Sequence, residues 1–298
     1  MKVFIVATVL LFGAIGVVGW LKKGPAPAEI EPIQEIPLGT SQAPIPIPPA
    51  PFEEVSEVDR IDELFALDSP ESSIVETVSF TSRVPWLQSR PAWIADYASH
   101  YQTSRHFIAR SLNQKPDYFS QKVHPGDRFN VFRKDKEIQF QLLVDLSQCR
   151  LWFYCLDGAE KVLLKTYRVG LGKKDSLYTS GFLTPTGKYT LGDKIAIYKP
   201  GITGYFQDEK IEMIRVFGTR WLPFDKEIGD CSEAAKGLGL QGAPWIEGPN
   251  GELIEDRSKI GVFESDGCIR MASEDIEEIF AIVITKPTVV EIVKELHP

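Results

Sequence analysis

The stretch that most constrains this chain is residues 24–52, "GPAPAEIEPIQEIPLGTSQAPIPIPPAPF". Proline lacks the N–H that a helix or a ladder needs, and its ring fixes φ, so this run can form neither. It favours extended polyproline geometry and reads as a semi-rigid spacer. Whatever precedes it is held apart from whatever follows. What precedes it is an apolar run, residues 3–20, with Lys2 before it and Lys22 and Lys23 after it. At about 1.5 Å per residue a helix of that length nearly spans a hydrocarbon core of about 30 Å. The apolar region of a signal peptide is shorter, about 7–15 residues. Residues 1–22 therefore read as a membrane anchor. A cleaved signal, with "VVG" before Trp20 as the cleavage site, stays open. Similar lysine flanks leave the orientation unsettled. In both cases the chain is addressed to the cell envelope, with its bulk outside the cytoplasm.

The formal net charge of −8 argues against a nucleic-acid partner, because no basic stripe is available to neutralise phosphates. Four cysteines are too sparse for a disulfide scaffold. Cys149 and Cys155 bracket a strand-like run, while Cys231 and Cys268 could pair. Asp230 beside Cys231 lacks the histidine or thiol spacing of a metal site, and no cofactor is implied.

Residues 23–90 hold the spacer and then a short amphipathic helix, with Val55, Val58, Ile61, Leu64 and Phe65 at helical spacing. Its polar face is acidic, which suits packing better than a membrane surface. Residues 69–90 show no pattern and read as irregular. Next, Ile94, Tyr97, Ala98 and Tyr101 predict a helix. A break at Thr103 and Ser104 follows, and Phe107, Ile108 and Leu112 predict a second helix. "VHPGDRFNVF" supplies a turn and a strand. From residue 138 the texture turns to strands: Leu151, Phe153 and Cys155 alternate with Trp152 and Tyr154. "SEDIEEIFAIVI" predicts a helix with Ser273 as N-cap and an apolar face of Ile276, Ile279, Phe280 and Val283. "TVVEIVKEL" predicts a last strand. Residues 138–293 thus read as one mainly β domain.

Two resemblances follow. Residues 91–134, with the helix break, "LNQ" after the second helix and "VHPGDRFNVF", resemble a LysM domain, a small α+β carbohydrate-binding module of βααβ order. Its first strand is not evident. A helical hairpin packed on the next domain is the alternative. The segments "VDLSQCRLWFY", "VGLGKKD", "TPTGKYTL", "FGTRWL", "LGLQGAPW" and "SDGCIRMASEDIEEIF" resemble, in that order, the L,D-transpeptidase catalytic (YkuD-type) domain. That resemblance implies a β-sandwich with a short helix after a catalytic cysteine. The cysteine would attack a peptidoglycan stem peptide, and the acyl group would pass to an amine or to water. The partners implied are stem peptides and glycan, and the process is cell-wall remodelling.

By this resemblance Cys268 is the nucleophile, and Ser265, Gly267 and Arg270 occupy their motif positions. Gly267 would let backbone N–H groups approach an oxyanion. Arg270 would orient the loop or meet a substrate carboxylate. Gly242 and Trp245 fall in the "QGAPW" segment. The family's two motif histidines are replaced here by Gln241 and Asp266. The only histidines are His100, His106, His124 and His297, so none lies between residues 125 and 296. An imidazole could come only from His297 or from the LysM-like unit.

A thiol of ordinary pKa is about 3% thiolate at neutral pH, and losing an acid–base group costs about 10²–10⁴-fold. Gln241 can orient a group but cannot take a proton. Asp266 could take one if burial raised its pKa. In an extended segment Asp266, Cys268 and Arg270 would share one face. The leading expectation is therefore an atypical or impaired acyltransferase acting through Cys268 and Asp266. A lapsed enzyme kept as a wall-binding adaptor, and a purely structural Cys268, remain as alternatives. Arg215, Arg220, Trp221 and Tyr205 are offered either to the cleft or to core and surface roles, as is Trp245. Lys161, Lys165, Lys173 and Lys174 read as a solvated face.

Overall fold

The computed structural model describes residues 58–69, 73–113, 122–234 and 236–296. The apolar run 3–20, the proline-rich spacer, Val55, part of "LNQ" and His297 lie outside them. Among the described residues no helix is long and apolar enough to cross a membrane.

The fold is mainly β. Its principal sheet has nine strands. At its centre Thr288–Val293 runs parallel to Ile138–Asp145 and antiparallel to Gly187–Leu191. From Ile138–Asp145 the sheet continues antiparallel through Arg150–Asp157 to Glu160–Arg168. On the other side it passes through Arg220–Glu227 and Gly239–Gly242 to the edge strand Ile269–Met271, which lies parallel to its neighbour. The alternation seen in the sequence is real: Leu151, Phe153 and Cys155 are buried while Trp152 and Tyr154 are half-buried. The helix Ser273–Val283 buries Ile276, Ile279, Phe280 and Val283, its expected apolar face. Ala272 rather than Ser273 sits at its N-cap, without a side-chain cap. Glu255 takes the Ser273 N–H instead, at 2.5 Å, and a carboxylate suits the positive end of the helix dipole.

The two helices predicted before the sheet are present, as Ile94–His100 and Arg105–Asn113. Ser104 starts the second: its hydroxyl accepts the Phe107 N–H at 2.9 Å. The strand Arg128–Phe132 pairs antiparallel with Val75–Ser79. That partner strand lies where the sequence reads as irregular. Val75 and Val78 point to opposite faces and break the period of two, so alternation could not reveal it. Strand, helix, helix, strand is the resulting order.

This unit is joined to the sheet through a shared core. Phe107, Phe132, Phe140 and Phe153 form a chain of rings with centroid spacings of 4.6, 6.0 and 5.4 Å. Across the seam Ser104 donates its hydroxyl hydrogen to the Ala281 carbonyl. The short helix Ile61–Phe65 buries Ile61 and Leu64 here, so it is a packing element. Lys165 is not on a solvated face. It pairs with Asp59 at 2.9 Å and Glu278 at 3.1 Å, tying the segment before that helix to the domain.

Candidate active site

Cys268 sits in the turn between Phe263–Ser265 and Ile269–Met271. The turn is fixed from several sides. Ser265 is buried; its hydroxyl donates to the Cys268 carbonyl at 2.6 Å and accepts the Gly267 N–H at 3.2 Å. Thr184, fully buried, accepts the Gly172 N–H at 2.7 Å and donates to the Gly267 carbonyl at 3.0 Å. The Arg270 backbone exchanges two hydrogen bonds of 2.8 Å with Gly170. Gly267 has φ +114°, and a Cβ there would lie 2.8 Å from the Leu183 carbonyl oxygen. Only glycine serves at this point.

The sulfur is half-buried. Its S–H reaches the Gly237 carbonyl at 3.9 Å, and the Gly239 N–H points toward it. Burial pushes the thiol up to about 11; the Gly239 N–H and Arg270 pull it down, and Asp266 adds a small upward push. Desolvation outweighs the donors, because it penalises the thiolate directly.

Asp266 does not join a buried Cys–Asp–Arg cluster. The positive φ at Gly267 ends the extended run on which that arrangement depends. The Asp266 side chain is exposed and pairs with Lys173 Nζ at 2.9 Å. Gln241 lies on the strand next to Arg270, in register with it, so the two share the Cys268 face by strand alternation. Its Nε2 donates to the Val216 carbonyl at 2.9 Å. Arg270 keeps a buried Nε with no hydrogen-bond partner. Gly242 is packed against Gly218 and Thr219, where a Cβ would come within 2.8 Å of the Thr219 nitrogen. Trp245 lies beyond the far end of this strand pair and lines a separate cavity with Arg220 and His106.

No described histidine substitutes. His100 stacks on Trp86 at 4.2 Å, His106 meets Phe280 edge-on at 5.1 Å, and His124 lies 3.6 Å from Asp127. Cys231 and Cys268 are not bridged; all four cysteines are free thiols. Arg215 pairs with Glu212 at 3.2 Å, buried Arg220 with Glu277 at 3.3 Å, and Tyr205 is exposed. Sequence reasoning overlooked Thr184 and Gly239 and read Lys173 only as part of a solvated face. All three lie in segments that carry the resemblance, "TPTGKYTL", "VGLGKKD" and "LGLQGAPW", but nothing in their types marks them as neighbours of the thiol.

A mainly β scaffold thus presents Cys268 on a glycine-dependent turn. The L,D-transpeptidase catalytic domain (YkuD) matches residues 139–292, more than half of the chain, and the chain belongs to that family. Among solved structures, Bdellovibrio bacteriovorus Bd1075 is similar with TM-score 0.36 and 16% identity, over 53% of this chain and 49% of that one. The helical cell shape determining protein Pgp2 from Campylobacter jejuni is similar with TM-score 0.35 and 17% identity, over 54% and 49%. L,D-transpeptidase 3 from Mycobacterium tuberculosis gives TM-score 0.30 and 13% identity, over 57% and 76%. The chain thus spans about half the length of the first two. No curated protein matches it.

Proposed function

We propose that this chain is an envelope protein that engages peptidoglycan stem peptides through its L,D-transpeptidase domain, with Cys268 lapsed as a nucleophile. The reading rests on the Asp266–Lys173 pair, 2.9 Å apart on the surface. The one acid–base group beside the thiol in sequence is turned to solvent and neutralised. The apolar segment 3–20 would hold the protein at the membrane, and the proline-rich run would reach toward the wall. The βααβ unit, which resembles LysM in its order of elements, would add glycan contact.

A second reading keeps the acyltransferase. The Gly239 N–H and Arg270 both favour a thiolate at Cys268, and Arg270 remains available for a substrate carboxylate. A single experiment separates the two. The full chain and its Cys268→Ala variant are mixed with insoluble peptidoglycan, and the wild type with a tetrapeptide stem followed by mass spectrometry. Retention of both proteins without a thioester adduct supports the adaptor. An adduct that Cys268→Ala abolishes establishes the enzyme and overturns the first reading.

A further inference from the structure

The residue least absorbed by the thiol site is Trp245. Its place in "QGAPW" offers it to the cleft or to the core, and it lines a cavity of about 250 Å³ together with His106, Tyr198, Lys199, Thr219 and Arg220. Register places this cavity away from Cys268. Leu240 pairs with Ile269, so Cys268 lies beside Gly239. Thr219 abuts Gly242, three residues farther along the same strand. That is about 10 Å of strand. The cavity also meets a second, larger groove of about 790 Å³, since His106 and Ile197 line both. The pair runs along the seam between the βααβ unit and the helix Ser273–Val283.

The chemistry of the lining is specific. Arg220 already faces a carboxylate, Glu277, at 3.3 Å, and both side chains are largely buried. The buried charges are balanced before any ligand enters, Lys199 being exposed, and a charged ligand beside the pair would be desolvated without a counter-charge. Two neutral groups in the lining are unanswered. Thr219 Oγ1 and Trp245 Nε1 are buried and have no hydrogen-bond partner. Buried polar atoms without partners cost free energy, and native structures keep few of them. Trp245 and Tyr198 add aromatic surface with a polar end. Aromatic surface beside neutral donors and acceptors in a concave site suits a ligand with apolar C–H faces and many hydroxyl or amide groups.

We infer that this seam cavity is a second binding site, separate from Cys268, for a small neutral saccharide. The sugar ring packs on Trp245 and its hydroxyl or acetamido groups satisfy the indole N–H and the Thr219 hydroxyl. The site works whether or not the thiol is active. Binding there would also bridge the βααβ unit and the sheet, since His106 belongs to the first and Arg220 to the second.

The test uses the full chain and di-N-acetylchitobiose, with glucuronate as an anionic comparator, followed by saturation-transfer NMR and calorimetry. The neutral disaccharide is expected to bind and glucuronate not to compete. Thr219→Val removes one hydroxyl at nearly constant shape and should weaken binding roughly five- to tenfold, the worth of one hydrogen bond. Ile197→Trp fills the junction of cavity and groove and should abolish binding, while Cys268→Ala should leave it intact. Either variant is compared only after its circular dichroism matches that of the wild type, and each reports independently of the other. No binding of the disaccharide, binding unchanged in both cavity variants, or preference for glucuronate overturns the proposal. Failure here leaves stem-peptide retention untouched, so the two claims fall separately.

Discussion

Asp266 and Lys173 form a surface ion pair, Nζ to Oδ1 at 2.9 Å, at the mouth of the turn that carries Cys268. The pair links the "GKKD" segment to the cysteine turn and directs the carboxylate away from the sulfur. Exposed pairs of this kind contribute little to stability, at most about 1 kcal/mol. Its importance is chemical: the carboxylate nearest the thiol in the motif is occupied elsewhere.

The first consequence is a pH profile. With its thiol pushed up to about 11, Cys268 is thiolate in about one molecule in ten thousand at pH 7. Iodoacetamide labelling of Cys268, followed by peptide mass spectrometry, should accelerate roughly tenfold per pH unit from pH 7 to 10. Asp266→Asn should shift this curve only slightly, and toward lower pH, because the carboxylate is the weakest of the influences on the sulfur. A plateau below pH 8 would mean that a base does act on the thiol.

The turn should depend on Thr184. Its hydroxyl serves a donor in Gly172 and an acceptor in Gly267, both inside the protein. Thr184→Val keeps the shape and leaves the two backbone groups unsatisfied, each worth about 1–3 kcal/mol. The urea midpoint should fall accordingly, and Cys268 labelling should become faster as the turn loosens. Unchanged stability would show that water replaces the hydroxyl without loss.

Much of the fold was legible because its signals are periodic. The two helices before the sheet, the alternation around Phe153 and the apolar face of Ser273–Val283 all repeat at the spacing their structure requires. Val75–Ser79 escaped because its valines fall on opposite faces, and pairing with Arg128–Phe132 supplies what alternation did not. In the site, Cys268, Ser265 and Gly267 could be read from one contiguous motif. The orientation of Asp266 could not, since it follows from the φ of Gly267 and from Lys173, ninety-three positions earlier. The cavity beside Trp245 could not be read either, since nearness in sequence to Gln241 says nothing about which end of the strand pair a side chain reaches.

The seam should be sensitive to Ser104. This residue caps its own helix through the Phe107 N–H and also holds the Ala281 carbonyl across the junction. Ser104→Ala removes both. Cap loss alone costs about 0.5–2 kcal/mol, and the orphaned carbonyl adds to it. The expected signature is faster amide hydrogen exchange in Arg105–Asn113 and in the C-terminal turn of Ser273–Val283. Exchange that rises in the first helix alone would mean that the cross-seam bond carries no weight.

Asp275 gives the seam an acid-side stability. Burial raises its carboxyl to about 6, with Lys165 opposing and Glu274 and Glu278 reinforcing. The folded state therefore holds a proton that the unfolded chain, titrating near 4, has already released. Between about pH 4 and pH 6 the folded state binds more protons than the unfolded one, so this residue lowers stability as pH rises. Asp275→Asn should raise the thermal midpoint above pH 6 and make no difference below pH 4. The opposite sign would show the carboxylate ionised and stabilised in the folded protein.

The sharpest prediction concerns supplying an imidazole. At pH 7 a thiol pKa of about 11 withholds roughly 5 kcal/mol from any reaction through the thiolate. A positioned base removes part of that handicap and supplies about 10²–10⁴-fold in rate. Position 241 is suited to receive it, because Gln241 lies on the adjacent strand, two residues beyond the neighbour of Cys268 and on the same face. Gln241→His, alone and with Asp266→His, should lower the apparent pKa of Cys268 labelling and produce a thioester adduct with a tetrapeptide stem. The double variant should also lose the Lys173 pair, freeing the second side chain to face the turn. If both variants fold, as judged by circular dichroism, and the labelling curve does not move, the absence of an imidazole is not what holds the thiol pKa up. The closure of the sulfur behind Gly237, Leu238 and Gly239 would then be the cause.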